Sequence, residues 1–226
     1  MSTTASPRTR LRRLPARAAY DRGTIDQILD EAMIAHLGFV DEGQPFVIPT
    51  LHARVGDTVY FHGSAASRAI RTLSSDMPAC LTVTLIDGLV LARSVFHSSL
   101  NYRSVVVLGT ATPVEGPDER LLALEAFVER LIPGRWGEVR PPTPQELKAT
   151  RVLAMTLDEA SAKVRTGPPE DDRDDLDLPV WAGVIPLNPT AGAPIPDAAT
   201  PPHVKPSGAV THWTPQRQTT HTRSKP

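Results

Sequence analysis

The sequence predicts a mainly β fold with flanking helices, a small barrel whose ends carry short helical segments. Three observations support this. About six short β-rich runs succeed one another between turn signals from Ala35 to Leu157. Two of them, Cys80–Ile86 and Leu89–Val95, are joined by Asp87-Gly88, a strong local hairpin signal. The helical patterns between the runs are few, and Asp118–Leu131 is the clearest.

The elements follow in chain order. Thr24-x-x-Gln27 reads as a capping box ahead of Ile25, Ile28, Leu29 and Ala32, so a helix is expected from Thr24 to about Ile34. Ala35–Val40 and Phe46–Arg54 flank the turn Asp41–Gln44 and read as a hairpin. Pro49 makes its strand an edge or a bulge, or a place where a ligand covers unpaired backbone. After Val55-Gly56-Asp57, Thr58–His62 is a third strand and Ala65–Ser74 a short helix with Ile70 and Leu73 on one side. The Asp87-Gly88 hairpin comes next, then a long strand over Tyr102–Val114. Asp118–Leu131 carries Leu121, Leu124, Phe127, Val128 and Leu131 at helical spacing and closes at Pro133-Gly134. Pro144–Leu147 opens a short helix, Val152–Leu157 is a further β-rich run, and Glu159–Val164 continues it irregularly.

Composition sets the outer limits. A chain of 226 residues can bury one ordinary core without disulfides, and the single cysteine, Cys80, lies in an apolar run as a small hydrophobe. That usage fits a reducing compartment. A net charge of -1 argues against a nucleic-acid surface. No apolar stretch has the length of a membrane span, and the N-terminus lacks the apolar core of a secretory signal, so a cytoplasmic protein is expected. Residues 1–19 hold five arginines and no acid and are expected to be a disordered basic arm. The acidic run Glu170–Asp177 is expected to be solvated and mobile. From Pro186 onward fall 9 of the 23 prolines, with hardly any apolar residues, which predicts a disordered tail over 187–226. One ordered domain, residues 20–186, remains.

The chemistry concentrates in two segments. In Tyr60–Arg71 a strand runs through Ser64 and Ser67 into a helix start bearing Arg68. Helix N-terminal amides, hydroxyls and a guanidinium together favour an anion. The plainer alternative makes Ser64 or Ser67 an N-cap and Arg68 a surface charge. The second segment is the strand Asn101–Gly109.

In order and in motif, these elements resemble the pyridoxamine 5'-phosphate oxidase-like split-barrel superfamily, particularly its nitroimidazole-reductase-related branch. The resemblance implies a six-stranded split β-barrel binding FMN. Ser67-Arg68 matches the pair that grips the flavin phosphate. Arg103-Ser104-Val105-Val106-Val107-Leu108-Gly109 matches Arg-Gln-Val-x-Val-x-Gly, which puts Ser104 at a flavin-contacting position. The family's backbone contacts to the ring fall on Val47 to Leu51, hence on Ile48, Pro49, Thr50 and Leu51. Its phosphate-binding lysine falls at His52, a departure for which Arg54, on the same strand face, can supply the charge. The late Arg-x-His-Asp substrate motif of true pyridoxamine phosphate oxidases is missing after Val152, so pyridoxal phosphate synthesis is not expected.

The resemblance further implies a homodimer and a flavin-dependent oxidoreductase acting on a small molecule. The sequence has no Gly-x-Gly-x-x-Gly, so a nicotinamide nucleotide donor would dock transiently. His97 is the candidate for orienting or protonating substrate, against a purely structural loop histidine. Three alternatives stay open: a deazaflavin cofactor, a haem-binding or haem-degrading protein with His52, His62 or His97 as ligand, and a non-catalytic flavin-binding protein. A hairpin separates His52 from His62 and would let them face each other, although no further metal-ligand spacing surrounds them. Arg93, a charge among apolar residues, calls for a partner. Trp136 and Trp181 read as core or interface anchors, and Tyr102 either stacks on a flavin or packs the barrel.

Overall fold

The computed structural model describes residues 6–215, so the ends of the basic arm and of the tail, residues 1–5 and 216–226, lie outside the described residues. A 3-10 turn at Pro15–Arg17 leads into β1 (Ala18–Ala19), α1 (Arg22–Glu31), β2 (Ile34–Asp41), β3 (Gln44–Val55), β4 (Thr58–Ser64) and α2 (Arg68–Leu73). Then come β5 (Pro78–Leu91), β6 (Ser99–Thr110), β7 (Thr112–Pro113), α3 (Pro117–Leu131), α4 (Pro144–Ala149), β8 (Thr150–Thr156), β9 (Ala160–Arg165), β10 (Gly183–Pro186) and α5 (Gly208–Thr211). All pairings are antiparallel, in the order β1-β9-β6-β5-β2-β3-β4-β8-β7, with β10 beside β5.

The mainly β class with flanking helices is as expected, but the sheet has ten strands rather than six and does not close. The extra strands are β1, β7, β9 and β10. Three of them span only 2 to 4 residues, too short for alternation to show. β9 reads Ala-Ser-Ala-Lys-Val-Arg, with one β-branched residue, and is made a strand by its partners β6 and β1.

Asp87-Gly88 is not a hairpin turn. β5 runs through it, with a register shift between Ile86 and Gly88, and the chain reverses at Ala92–Ser98 instead. The dipeptide builds a β-bulge. A Cβ on Gly88 would lie 3.0 Å from the Ile185 carbonyl oxygen, so the missing side chain is what lets β10 lie alongside.

α1 fills the concave side of the sheet. Ile25, Ile28 and Leu29 are fully buried against Leu37, Phe61, Leu81, Val105, Val107, Leu153 and Met155. Its N-cap is Asp21, whose side chain accepts from the Thr24 amide at 2.8 Å, so Thr24 sits inside the first turn rather than at the cap. Covering the opposite face of β3, β4 and β8, α3 packs Ala123 and Phe127 on Ala53, Tyr60 and Val152.

Charged groups tie these layers together. Arg103 on β6, 5% exposed, donates to both oxygens of Glu31 on α1 (2.5 and 2.7 Å) and of Asp87 in the bulge (2.9 and 2.8 Å). At the end of α1, Arg130 from α3 donates to the carbonyls of Leu29, Asp30 and Ala32, which the helix itself leaves unpaired. The acidic run is tied down at Asp171, which accepts from the Arg93 amide (2.8 Å) and guanidinium (2.9 Å) with its side chain 2% exposed. Arg93 thus finds its partner within the chain. Near the ends, Ser6 Oγ donates to Glu159 (2.7 Å), the Leu11 amide donates to the Tyr20 hydroxyl oxygen (2.9 Å), and the Leu187 amide donates to the Asp87 carbonyl (3.0 Å). Among the described residues no helix is long and apolar enough to cross a membrane.

Replacing Arg103 by Met leaves the Glu31 and Asp87 carboxylates without their shared cation. Urea unfolding is expected to show a loss of about 3–5 kcal/mol, whereas a loss below that of an ordinary surface substitution would remove the triad from its anchoring role.

Candidate functional site

β3 pairs with β2 along Gln44–Leu51, but with β4 only over His52–Val55. β4 meanwhile continues to Ser64 against β8. The two strands therefore part above His52, and on that side the edge of Gln44–Leu51 pairs with no strand among the described residues. Pro49 lies on this free edge, exposed and opposite His36, which agrees with the edge reading of that proline.

The other lip of the split is the end of β4 and the start of α2. A Cβ on Gly63 would come 2.9 Å from Ile70 Cγ1, so glycine is what allows α2 to sit this close to β4. Ser67 is the N-cap, its Oγ accepting from the Ile70 amide at 3.3 Å. Ser64 Oγ accepts from the Ala66 amide at 3.3 Å. The Arg71 amide bonds the Ser67 carbonyl, and the first-turn amides of Arg68 and Ala69 have no partner within the helix. Arg68 is exposed, lies 4.8 Å over the Phe46 ring on the β3 lip, and is 3.7 Å from Asp41. At that distance and exposure the ion pair holds little of its charge. A polar cleft of about 620 Å³ opens here, lined by Asp41, Glu42, Gln44, Phe46, Arg68, Arg71 and Thr72.

Of the residues singled out in the sequence, Ile48, Pro49, Thr50, Leu51, Ser64, Ser67 and Arg68 are gathered around this split. Ile48 packs on the main core, Leu51 on the α3 cluster, and Thr50 Oγ1 donates to the Leu51 carbonyl at 3.2 Å, so these contribute backbone rather than side chains to the edge.

Four others lie elsewhere. His52 is fully buried and its Nε2 bonds the Leu29 carbonyl at 2.9 Å. Arg54 grips Asp30 through two bonds (2.9 and 2.5 Å) and donates to the Gly56 carbonyl (2.8 Å), so its charge is spent on α1. Ser104 is on β6, separated from β3 by β5 and β2, and donates to the Lys163 carbonyl at 3.4 Å. His97 lies in the Ala92–Ser98 loop, its amide donating to Ser94 Oγ (3.3 Å) and its Nε2 3.2 Å from Asp172.

The two strand histidines do not face each other. His52 is level with Phe61, so His62, one residue on, points to the opposite side of the sheet. There its ring stacks at a tilt 4.5 Å from Phe127 of α3, and its Nδ1 is buried without a partner. Burial lowers the pKa of His62 and, for His52, burial followed by the nearby Arg130 charge pushes it down to about 4.

Part of the site was invisible in the sequence. Phe46 and Arg71 reach the cleft through the β2–β3 turn and the α2 face, and His36 becomes an exposed residue of the open sheet beside Pro49 and Thr82. No motif surrounds any of them.

A split antiparallel sheet with flanking helices and an anion-suited helix start at its mouth defines a split-barrel β fold. The chain belongs to the pyridoxamine 5'-phosphate oxidase family, whose pattern matches residues 21–164. Two solved structures are similar over nearly their full lengths. The flavocytochrome Anf3 from Azotobacter vinelandii is 43% identical, with 91% of this chain and 95% of that one covered and a TM-score of 0.86. The FAD and haem binding protein from Mycobacterium smegmatis is 36% identical, with 88% and 98% covered and a TM-score of 0.84. A candidate 5-nitroimidazole antibiotic resistance protein from Bacteroides thetaiotaomicron shares the fold, at 22% identity, 65% and 86% coverage and a TM-score of 0.56. No curated protein matches the chain.

His52 gives the fold a defined pH dependence. Its pKa is about 4 in the folded chain against 6.5 for an unperturbed histidine, so the unfolded state binds the extra proton between those values. The stabilisation from keeping His52 neutral is complete above about pH 6.5 and is lost as pH falls toward 4, by about 3 kcal/mol. Unfolding curves for wild type and His52→Gln should converge over that window; parallel curves would show that His52 is not the titrating group.

Proposed function

We propose that this chain is a flavin-binding oxidoreductase that takes its cofactor in the split between β3 and β4 and works as a homodimer. Electrons would pass from a diffusible donor such as a nicotinamide nucleotide to a small acceptor. One observation carries the reading: an unpaired strand edge and a cationic helix start form the two lips of one open cleft. Peptide groups along Val47–Leu51 suit the hydrogen-bonding edge of a flat ring. Ser64, Arg68 and the free amides of Arg68 and Ala69 suit a phosphate. Ser67 serves the same lip as its N-cap.

The family and the two similar structures support a flavin. One of those structures is of an FAD and haem binding protein, which favours FAD over the FMN that the sequence resemblance implies. When bound, the flavin supplies the hydride and electron chemistry. The chain's own part is to anchor the phosphate with Arg68, align the ring on the β3 edge, and offer His97 to the substrate. The homodimer draws support from an open sheet face on which Ile34, Val40, Val47 and Ile86 are 48%, 44%, 68% and 43% exposed, an apolar patch of the kind that marks an interaction site.

A second reading adds haem, and His62 favours it. Both histidines carry a buried Nδ1 without a partner and both are pushed by burial toward the neutral form, in which imidazole ligates iron. His52, however, has its Nε2 committed to the Leu29 carbonyl, which leaves His62 as the better candidate. A Soret band that disappears in His62→Ala, with the flavin spectrum retained, is the expected result. A Soret band unchanged by that substitution would remove His62 as the ligand.

Arg68→Ala is expected to weaken flavin binding by about 10- to 150-fold, the loss of one charge-assisted contact, with circular dichroism unchanged. Flavin retained at wild-type affinity would take the phosphate away from Arg68. His97→Ala should keep its flavin and lose about a hundredfold in kcat; unaltered kcat would leave His97 as a brace of its loop.

A further inference from the structure

At the far edge of the sheet from the split, two arginines share a cleft. β1 pairs Ala18 with Lys163 of β9, which brings Arg17, one residue before the paired stretch, toward Arg165 at the end of β9. Arg17 is held there by a tight local fold, a 3-10 turn in which its amide donates to the Leu14 carbonyl at 3.0 Å. Both arginines line a polar cleft of about 340 Å³ together with Leu14, Ala16, Thr166 and Glu170.

The charges in this cleft are poorly matched. Arg165 is 6% exposed, yet it bonds only neutral oxygens, Asn101 Oδ1 at 2.5 Å and the Pro168 carbonyl at 3.4 Å, and its Nε is buried without a partner. Among the described residues no carboxylate lies within ion-pairing distance of Arg165 or Arg17, whereas Arg103, the other arginine of the sheet buried this deeply, has two. Glu170 lines the cleft but stays beyond that distance. Burial, and after it the Arg17 charge, lowers the pKa of Arg165. Continuing the β1–β9 register puts Arg17 opposite Val164, beside Arg165, so the two like charges disfavour each other unless an anion lies between them. Two guanidiniums against one carboxylate leave the lining net positive.

We propose that this cleft is a second anion site, built to take a phosphate group between Arg17 and Arg165. Guanidinium forks match tetrahedral oxyanions, and a buried arginine already held by Asn101 and Pro168 is pre-oriented to use its remaining donors. Asn101 is itself fixed, its Nδ2 donating to the Gly167 carbonyl at 3.1 Å, so the turn that follows β9 and the arginine brace each other. The site is independent of the flavin cleft, which lies across the sheet at β3, β4 and α2. Its natural ligand would be a small molecule presenting a phosphate, such as a phosphorylated substrate or nucleotide donor.

The test is calorimetric titration of the full-length protein with inorganic phosphate, in wild type, Arg17→Gln, Arg68→Ala and Arg12→Gln, with sodium acetate as a second probe. Arg12 is exposed and does not line the cleft, so it controls for general surface charge. Saturable phosphate binding that survives in Arg68→Ala and Arg12→Gln but weakens about tenfold or more in Arg17→Gln is the expected result. Arg165→Lys, which keeps the charge and loses the fork, should weaken phosphate similarly with circular dichroism unchanged. Absence of saturable binding in wild type, equal binding in Arg17→Gln, or loss in Arg68→Ala alone would each overturn the site. An acetate response as strong as that to phosphate would overturn its assignment to a phosphate group.

Discussion

The structure hangs on the buried guanidinium of Arg103. It ties three elements together by charge: β6, the end of α1 through Glu31, and the β5 bulge through Asp87. A buried cation between two carboxylates is stable only when its hydrogen bonds are filled, and here both acids are gripped through both oxygens. α1 is thereby pinned in the concavity of the sheet. With α1 in place, its last carbonyls become available to His52 of β3 and Arg130 of α3, so one helix end gathers the whole fold.

The open split is the other face of the same arrangement. Because β3 is drawn down to α1 through His52 and Arg54, it pairs with β4 over four positions only, and its upper half is left with a bare edge. An unpaired edge inside a sheet is a liability unless a ligand or another chain covers it. In this chain the edge faces a helix start with unclaimed amides and an exposed arginine, and that conjunction, rather than any one residue, motivates the flavin reading.

Several features could be read from residues alone. The β-rich class, α1, the long amphipathic α3 and the Ser67-Arg68 helix start all come from local periodicity and capping chemistry, which need no knowledge of distant partners. Where a local signal had two structural uses, the reading went astray. Asp-Gly suits a type I′ turn and a bulge equally, and only the approach of β10 to Gly88 selects the bulge. Thr24 and Asp21 both offer capping oxygens, and the chain turns at Asp21. The acidic run carried no sign that one of its aspartates, Asp171, would be buried against Arg93, since an ion pair across 78 positions leaves no local trace.

By itself the sequence determined the type of fold, the family and the helix start that can hold an anion, because strand alternation, turn residues and N-caps act over a few neighbouring positions. Tertiary structure decided which charges are spent and which stay free. Arg54 is consumed in anchoring α1, His52 through its Nε2 in the same anchor, and Arg103 in joining three elements, while Arg68, His62 and the Arg17–Arg165 pair keep hydrogen-bonding capacity to spare. The availability of a polar group depends on what long-range packing brings within hydrogen-bond reach of it, and hydrogen bonds are too short-ranged for sequence spacing to foretell that.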